Sequence, residues 1–505
     1  MDPKYHPIEF QRRQPKKWPF VVLIIILVLA GAGGVFWYLN KLGKGQKSTS
    51  NQSTNLNKSE VNFENLMKSH FGFMPSAPYF DEATEAGSSW DRPPFEYFMW
   101  GAIEKKKGEF DFSATDDLIK KSQEKGFFTV ASIQPFAKWD QTVCHGNLQV
   151  PGGDLGLPEG PSGTEPNTSV KGAATETILR PSFEATTKAK PCSMADYKNF
   201  LQKLVDRYNF DSKNDMPGLK YPVRYWEIMN EPELQTSPLV FFQGTADDYF
   251  EVLKASYETI TIEDVNAKVL NSGLASLDPD SLRFWTTVMD RGAAKYFDIG
   301  SIHSISAGED LNIPKFKEFL NRYNAGSKPI WVTEVSFEAS SAKLAASNEG
   351  YAEVMARAYG FALANGVDKL FYVNLQMPES LPNAAAGGPG FTNLSALFDS
   401  KGTKTKLYTA HRLFTKKLGG FESVQKLQEE VVQEERISRV NLGAYKFKKN
   451  GKNIYLFFAK DKTKITLPKE LSGNVKVTDI NGNEREMPVA NLTNIFSTSP
   501  VFVEQ

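Results

Sequence analysis

The chain has 505 residues, 41% hydrophobic and 23% charged, so it is too long for one ordinary domain and too apolar to be largely disordered. Lys plus Arg and Asp plus Glu each number 59, and that zero balance excludes a dedicated nucleic-acid binder, which needs a basic excess. Two cysteines are too few for a disulfide scaffold or a cysteine-built zinc site. The five histidines show no paired metal spacing, so neither a metal nor a cofactor is expected. Eight Trp, 18 Tyr and 36 Phe suit sugar binding, because pyranose faces stack on aromatic rings, and they suit large aromatic cores equally.

No charged residue lies between Trp18 and Asn40. A helix of about 23 residues at 1.5 Å each spans a hydrocarbon core of about 30 Å. Trp18 at one end and Trp37 and Tyr38 at the other fit interfacial aromatic belts. The denser basic flank precedes the run (Lys4, Arg12, Arg13, Lys16, Lys17), which predicts a cytoplasmic tail over 1–17, an anchor over 18–40 and the bulk of the chain outside. The alternative is a signal peptide cleaved near Ala30-Gly31-Ala32, giving a secreted protein; against it, the apolar run continues through Val35 and Phe36. The Ser/Asn/Lys/Gly-rich stretch over 41–62 reads as a flexible tether.

From residue 63 to 420 short β-rich runs alternate with amphipathic helical periodicity, the rhythm of a parallel sheet with crossover helices. Strands are predicted at 70–75, within 88–100, and at 127–134, 223–230, 268–275, 298–305, 329–336 and 369–376. Helices are predicted over 115–126, from Met194 to Tyr208, and at about 246–259, 279–293, 314–323, 350–366 and 406–420. Eight such units fit a (β/α)8 barrel with insertions. A doubly wound sheet would more naturally carry a Gly-rich phosphate loop, and no such motif is present. A Gly/Pro/Ser/Thr-rich segment over 141–191, bracketed by Cys144 and Cys192, interrupts the rhythm. Beyond Gly420, short alternating strands (GAYKFKK, NIYLFFAK, TKITLP, NVKVTDI, SPVFVE) with turn signals at Asn450-Gly451 and Asn481-Gly482 predict a small β-sandwich over 421–505.

In a barrel the chemistry sits where strands end. The fourth strand ends in Asn230-Glu231-Pro232-Glu233 and the seventh in Thr333-Glu334. One rim therefore carries two carboxylates able to face each other across a pocket, as glycoside hydrolysis requires. A strand-end Glu is also often a solvated loop charge; the weight lies in the eight-unit context.

YWEIMNEPE at 225–233 and WVTEVSF at 331–337 resemble the acid/base and nucleophile strands of clan A glycoside hydrolases, retaining (β/α)8 enzymes. MWGAIEKKKGEFDFS at 99–113, DIGSIHSI at 298–305 and ALFDSKGTKTKLYTAHRLF at 396–414 extend the resemblance over about 350 residues. It implies Glu231 as general acid/base, Glu334 as nucleophile and Asn230 as a residue that hydrogen-bonds the sugar 2-hydroxyl. It further implies Arg92 beside the nucleophile, keeping it ionised, and His303 on strand six; a loop arginine and a structural histidine are the alternatives. Two positions depart from the family pattern: Ile305 stands where many members have an aromatic, and Gln376, in place of a Trp, is the expected rim residue of strand eight. Trp139 is a candidate stacking platform and Trp226 a second, with core packing as the alternative. Cys144 and Cys192 are a candidate disulfide closing the insertion if the domain lies outside the cytoplasm.

The expectation is a membrane-anchored retaining glycosidase acting on β-linked oligo- or polysaccharides. The alternatives are a non-catalytic glycan-binding envelope protein on the same scaffold and a transglycosidase. The sequence leaves the sugar, the linkage and endo or exo action open.

Overall fold

The computed structural model describes residues 67–149, 178–236, 239–337, 348–373, 375, 395–399, 401–434 and 437–505. The predicted tail, anchor and tether over 1–62, most of the insertion, and Gln376 lie outside the described residues. Among the described residues no helix is long and apolar enough to cross a membrane.

Eight strands alternate with helices: β1 (Phe71–Met74), β2 (Trp90–Asp91), β3 (Phe128–Ile133), β4 (Tyr225–Ile228), β5 (Lys268–Leu270), β6 (Gly300–Ala307), β7 (Ile330–Phe337) and β8 (Val367–Val373). Besides a single helical turn at Trp100–Ile103, the described helices, in chain order, are α1 (Phe80–Glu85), α2 (Ser113–Glu124), α3 (Lys138–Cys144), α4 (Met194–Tyr208), α5 (Ala246–Glu263), α6 (Pro279–Asp290), α7 (Ile313–Arg322), α8 (Asn348–Ala364) and α9 (Lys406–Leu418). All strand pairs in this sheet are parallel, and β8 pairs with β1. Bridges Leu270–Ile299 and Leu274–Ile302 join β5 to β6, so the sheet closes into a barrel. Local chemistry fixes the helix starts. Thr245 and Asp248 cap α5 reciprocally, and Asp278 accepts from two amides at the start of α6.

The interior of the barrel is layered by the two-residue period of its strands. Toward the strand starts, Trp90, Phe128, Tyr225, Trp331 and Phe371 pack together, with ring centroids 5.0–6.1 Å apart in their contacting pairs. Gly72 makes room for them: a Cβ there would lie 2.7 Å from the Phe371 ring. Two residues further along, the same strands present Arg92, Glu227 and Thr333, and Ser301 joins them from β6. An aromatic floor thus carries a polar upper layer.

Two elements differ from expectation in length. Only two residues of the predicted second strand are hydrogen bonded as strand, because Pro93 and Pro94 follow at once and lack the N–H groups a ladder needs. The fifth strand stops at Leu270, with Leu274 bridging separately.

The C-terminal part contains β9 (Ser423–Glu434), β10 (Ile437–Lys449), β11 (Lys452–Ala459), β12 (Asn474–Asp479), β13 (Glu484–Pro488) and β14 (Val501–Glu504). The sandwich anticipated from the sequence is, in its hydrogen bonding, one continuous antiparallel sheet in the order β9-β10-β11-β14-β12-β13. Asn450 and Gly451 take φ of 51° and 74°, the left-handed pair that a tight hairpin requires. TKITLP is not a strand; Lys462–Lys464 forms a 3-10 turn instead. One face of the sheet (Tyr445, Phe447, Leu456, Phe458, Phe502) joins the main core against the barrel helices. The other (Leu442, Tyr455, Phe457, Val503) covers a smaller core of its own.

Candidate active site

Four strands deliver the site. β2 continues directly into Arg92, which is fully buried. Its guanidinium spreads over three partners: Nε donates to Glu227 Oε2 at 2.7 Å, Nη1 to Glu334 Oε1 at 2.8 Å, and Nη2 to Asn230 Oδ1 at 3.0 Å. Met74 Sδ lies 3.0 Å from Nη1, and the Phe95 ring centroid 5.0 Å from the guanidinium carbon, so apolar groups cover its remaining sides.

The chain leaving β4 is bent out of extended geometry. Met229 and Glu231 take φ of 69° and 39°, left-handed values that cost a side-chain-bearing residue about 1–3 kcal/mol each. The Met229 amide donating to Ile133 O at 2.9 Å and the Leu234 amide donating to Glu231 O at 3.0 Å hold this turn. It brings Asn230 and Glu231 over the barrel mouth beside one another.

On β7 a bulge does the aiming. Strict alternation would send Thr333 and Glu334 to opposite faces. The register with β6 slips from Ile302–Val332 to His303–Glu334, and that with β8 from Val332–Leu370 to Val335–Tyr372. One extra residue on β7 turns both side chains inward. Thr333 then reaches Glu227 Oε1 at 3.0 Å, and Glu334 reaches Arg92.

His303 on β6 is fully buried, with Nδ1 2.7 Å from Glu231 Oε1 and 3.6 Å from Glu334 Oε1. The backbone of Gly273 makes that ring position possible. A Cβ at residue 273 would stand 2.0 Å from His303 Nε2.

The two rim carboxyls have unlike partners. Burial pushes Glu231 up to about 7; Arg92 opposes the shift and the charge of Glu227 adds to it. Burial also raises Glu334, against the pull of His303 and Arg92. Burial disfavours the charged form of His303, while the charge of Glu334 opposes that shift. Glu334 is the carboxyl in direct contact with the guanidinium, whereas His303 Nδ1 faces Glu231 at hydrogen-bond distance. Glu233, two residues beyond, is raised to about 8, chiefly by burial, while its Oε1 accepts from the Ala275 amide at 2.7 Å.

One donor atom each from Glu231, His303 and Glu334 lie within 4.8 Å of one another. This set could ligate a cation, but the Arg92 guanidinium already supplies positive charge at Glu334. Cys144 and Cys192 form a disulfide, which removes their sulfurs as ligands beside His145. Asp140 reinforces that junction by accepting from the Cys192 and Ser193 amides, each at 2.8 Å.

Arg92, Asn230, Glu231, His303 and Glu334 therefore come together. Trp139 is engaged elsewhere. Its indole donates to Glu104 O at 2.8 Å, and its ring stands edge-on to Trp100 with centroids 5.0 Å apart. Trp226 has no accessible face to offer a sugar; as an outward residue of β4 it packs under the helices, edge-on to Phe98. Glu227 is a site residue that a reading confined to strand ends passes over. Its signal was available: a lone charge inside an apolar strand, two residues after the inward Tyr225.

No protein-family model matches the chain, and no curated protein matches it in sequence. Solved structures do match. A family 39 glycoside hydrolase from the gut symbiont Bacteroides cellulosilyticus WH2 aligns over 87% of this chain and 81% of its own, at 15% identity and a TM-score of 0.55. A glucosidase from Croceicoccus marinus aligns over 86% and 95%, at 11% identity and a TM-score of 0.51. An endo-β1,6-glucanase aligns over 87% and 88%, at 11% identity and a TM-score of 0.50. The chain shares their fold. At such identities the likeness speaks for architecture, and the chemistry rests on the residues described above.

Proposed function

We propose that the chain is a retaining glycosidase that cleaves β-linked oligo- or polysaccharides. The observation that carries this reading is the pair of buried rim carboxyls in unlike surroundings, Glu231 against the His303 imidazole and Glu334 against Arg92. Their nearest ligand oxygens fall within 4.8 Å. That closeness favours the retaining arrangement, with carboxyls about 5–5.5 Å apart, over the inverting one at about 6.5–9.5 Å, which must leave room for a water.

In this reading Glu334 attacks the anomeric carbon while Glu231 protonates the departing oxygen, giving a covalent glycosyl-enzyme. Glu231, now ionised, then takes a proton from water as that water displaces Glu334. The raised Glu231 suits the first step, since the acid must hold its proton near neutral pH. Arg92 holds Oδ1 of Asn230, leaving Nδ2 to donate to a sugar hydroxyl.

The proposal extends to location. The disulfide fits an oxidising compartment, and the charge-free run from Trp18 to Asn40 behind a basic tail fits an anchor that holds the catalytic part outside the membrane. Proton NMR of the first-formed sugar tests the mechanism. Retention predicts release of the β-anomer from a β-glycoside, and initial release of the α-anomer overturns it.

A further inference from the structure

Glu227 stands beneath both rim carboxyls, touches neither, and is fully buried. Its Oε2 accepts from Arg92 Nε at 2.7 Å, and its Oε1 accepts from Ser301 Oγ at 2.9 Å and Thr333 Oγ1 at 3.0 Å. The two hydroxyls are themselves 2.7 Å apart. One carboxylate thus ties β4 to β2, β6 and β7, the four strands that carry the site.

Charge bookkeeping gives this geometry a consequence. Arg92 is the one guanidinium at the site among the described residues, and it contacts two carboxylates, Glu227 and Glu334. Without Glu227, Arg92 and Glu334 would form a balanced pair, and Glu231 would face little net negative charge. With it, the cluster holds two carboxylates against one guanidinium, which opposes a third ionisation. The other titratable groups around Glu231 are His303 from β6, whose charged form burial disfavours, Glu334 from β7, Glu233 from its own loop, and Tyr249 from α5, whose hydroxyl lies 3.4 Å from Ile228 O. None of them supplies a second cation.

We propose that Glu227 is a positioning residue for the glycosidase reaction: by sharing Arg92 with Glu334 it keeps Glu231 protonated, and so sets the alkaline edge of activity. This rests on the glycosidase reading given above. Burial is the main cause of the raised Glu231 and Glu334, and the charge of Glu227 adds to both.

Glu227→Gln and Glu227→Asp separate charge from shape. Gln keeps the size and loses the charge; Asp keeps the charge and shortens the reach. Removing a neighbouring negative charge makes a carboxyl more acidic, so in Glu227→Gln the alkaline limb of kcat/KM moves down by about one pH unit. In Glu227→Asp the limb stays in place while kcat falls. A 13C NMR titration of the Glu231 carboxyl, with Glu231→Gln to assign it, shows the same displacement without any substrate. An unmoved limb and an unmoved Glu231 titration in a folded Glu227→Gln overturn the proposal. If Glu227→Gln does not fold, a displaced limb in Glu227→Asp overturns it as well. Absence of turnover by the wild type defeats the glycosidase reading instead and leaves the NMR arm to decide the charge effect.

Discussion

Replacing Glu231 by glutamine keeps an amide oxygen in reach of His303 and removes an acid whose burial is costly. Burial lifts this carboxyl from its ordinary 4.5 to about 7. Between those values the unfolded chain has released a proton that the folded protein keeps, so stability falls as pH rises through the interval and levels off above it. At about 1.36 kcal/mol per unit, the wild-type penalty is about 3 kcal/mol at pH 8 and about 1 kcal/mol at pH 5. Glu231→Gln relieves both. With an unfolding entropy of about 2.1 cal/mol/K per residue over roughly 440 residues, the gain in Tm is about 3 °C at pH 8 and about 1 °C at pH 5. Differential scanning calorimetry of wild type and variant at the two pH values measures it without any substrate. An equal change at both pH values, or a larger one at pH 5, would refute the assignment of Glu231 as a buried, proton-holding acid.

Three further outcomes follow from named contacts. Gly273→Ala puts a methyl 2.0 Å from His303 Nε2, so the ring must move off Glu231; kcat should fall about 100-fold, measurable at saturating glycoside. Reducing the Cys144–Cys192 bond frees a loop whose ends are 48 residues apart; on loop-closure entropy this costs about 4 kcal/mol, readable as a lower denaturation midpoint in urea with reductant. Arg357→Met removes from buried Glu309 the guanidinium that donates to it at 2.7 and 3.0 Å within the barrel part, leaving the Val440 amide of the C-terminal sheet as a neutral donor at 2.8 Å. Arg439, 3.5 Å away, is a weaker substitute, and a loss of about 3 kcal/mol in unfolding free energy is expected.

The barrel was legible because buried parallel strands write themselves as apolar runs separated by amphipathic helices. β3, β6, β7 and the long helices fall within a few residues of their expected positions. β9 was not legible. Its sequence SVQKLQEEVVQE is mostly polar, and its pairing with β10 is set by the partner strand, not by its own pattern. The proposed catalytic pair could be named from sequence because strand ends are where function sits in this architecture. Their aiming could not, since it depends on a bulge at β7 and on left-handed turns at Met229 and Glu231, neither of which leaves a residue signature. The same holds for Trp139 and Trp226. A tryptophan near a strand end looks alike in sequence whether it faces a cleft or, as at Trp226, the underside of a helix. Gly273 was readable only with its partner in view, whereas the charge of Glu227 inside an apolar strand was visible in the sequence itself.

In the proposed reaction Glu334 attacks a β-glycoside with Glu231 as its acid. A panel of labelled β-linked aryl glycosides and oligosaccharides, incubated with wild type and with Glu334→Ala, tests it most directly. Wild type is expected to cleave at least one member, with a loss of at least about 1,000-fold in Glu334→Ala. Turnover preserved in Glu334→Ala, or a folded wild type that binds β-glycans and cleaves none, would contradict it.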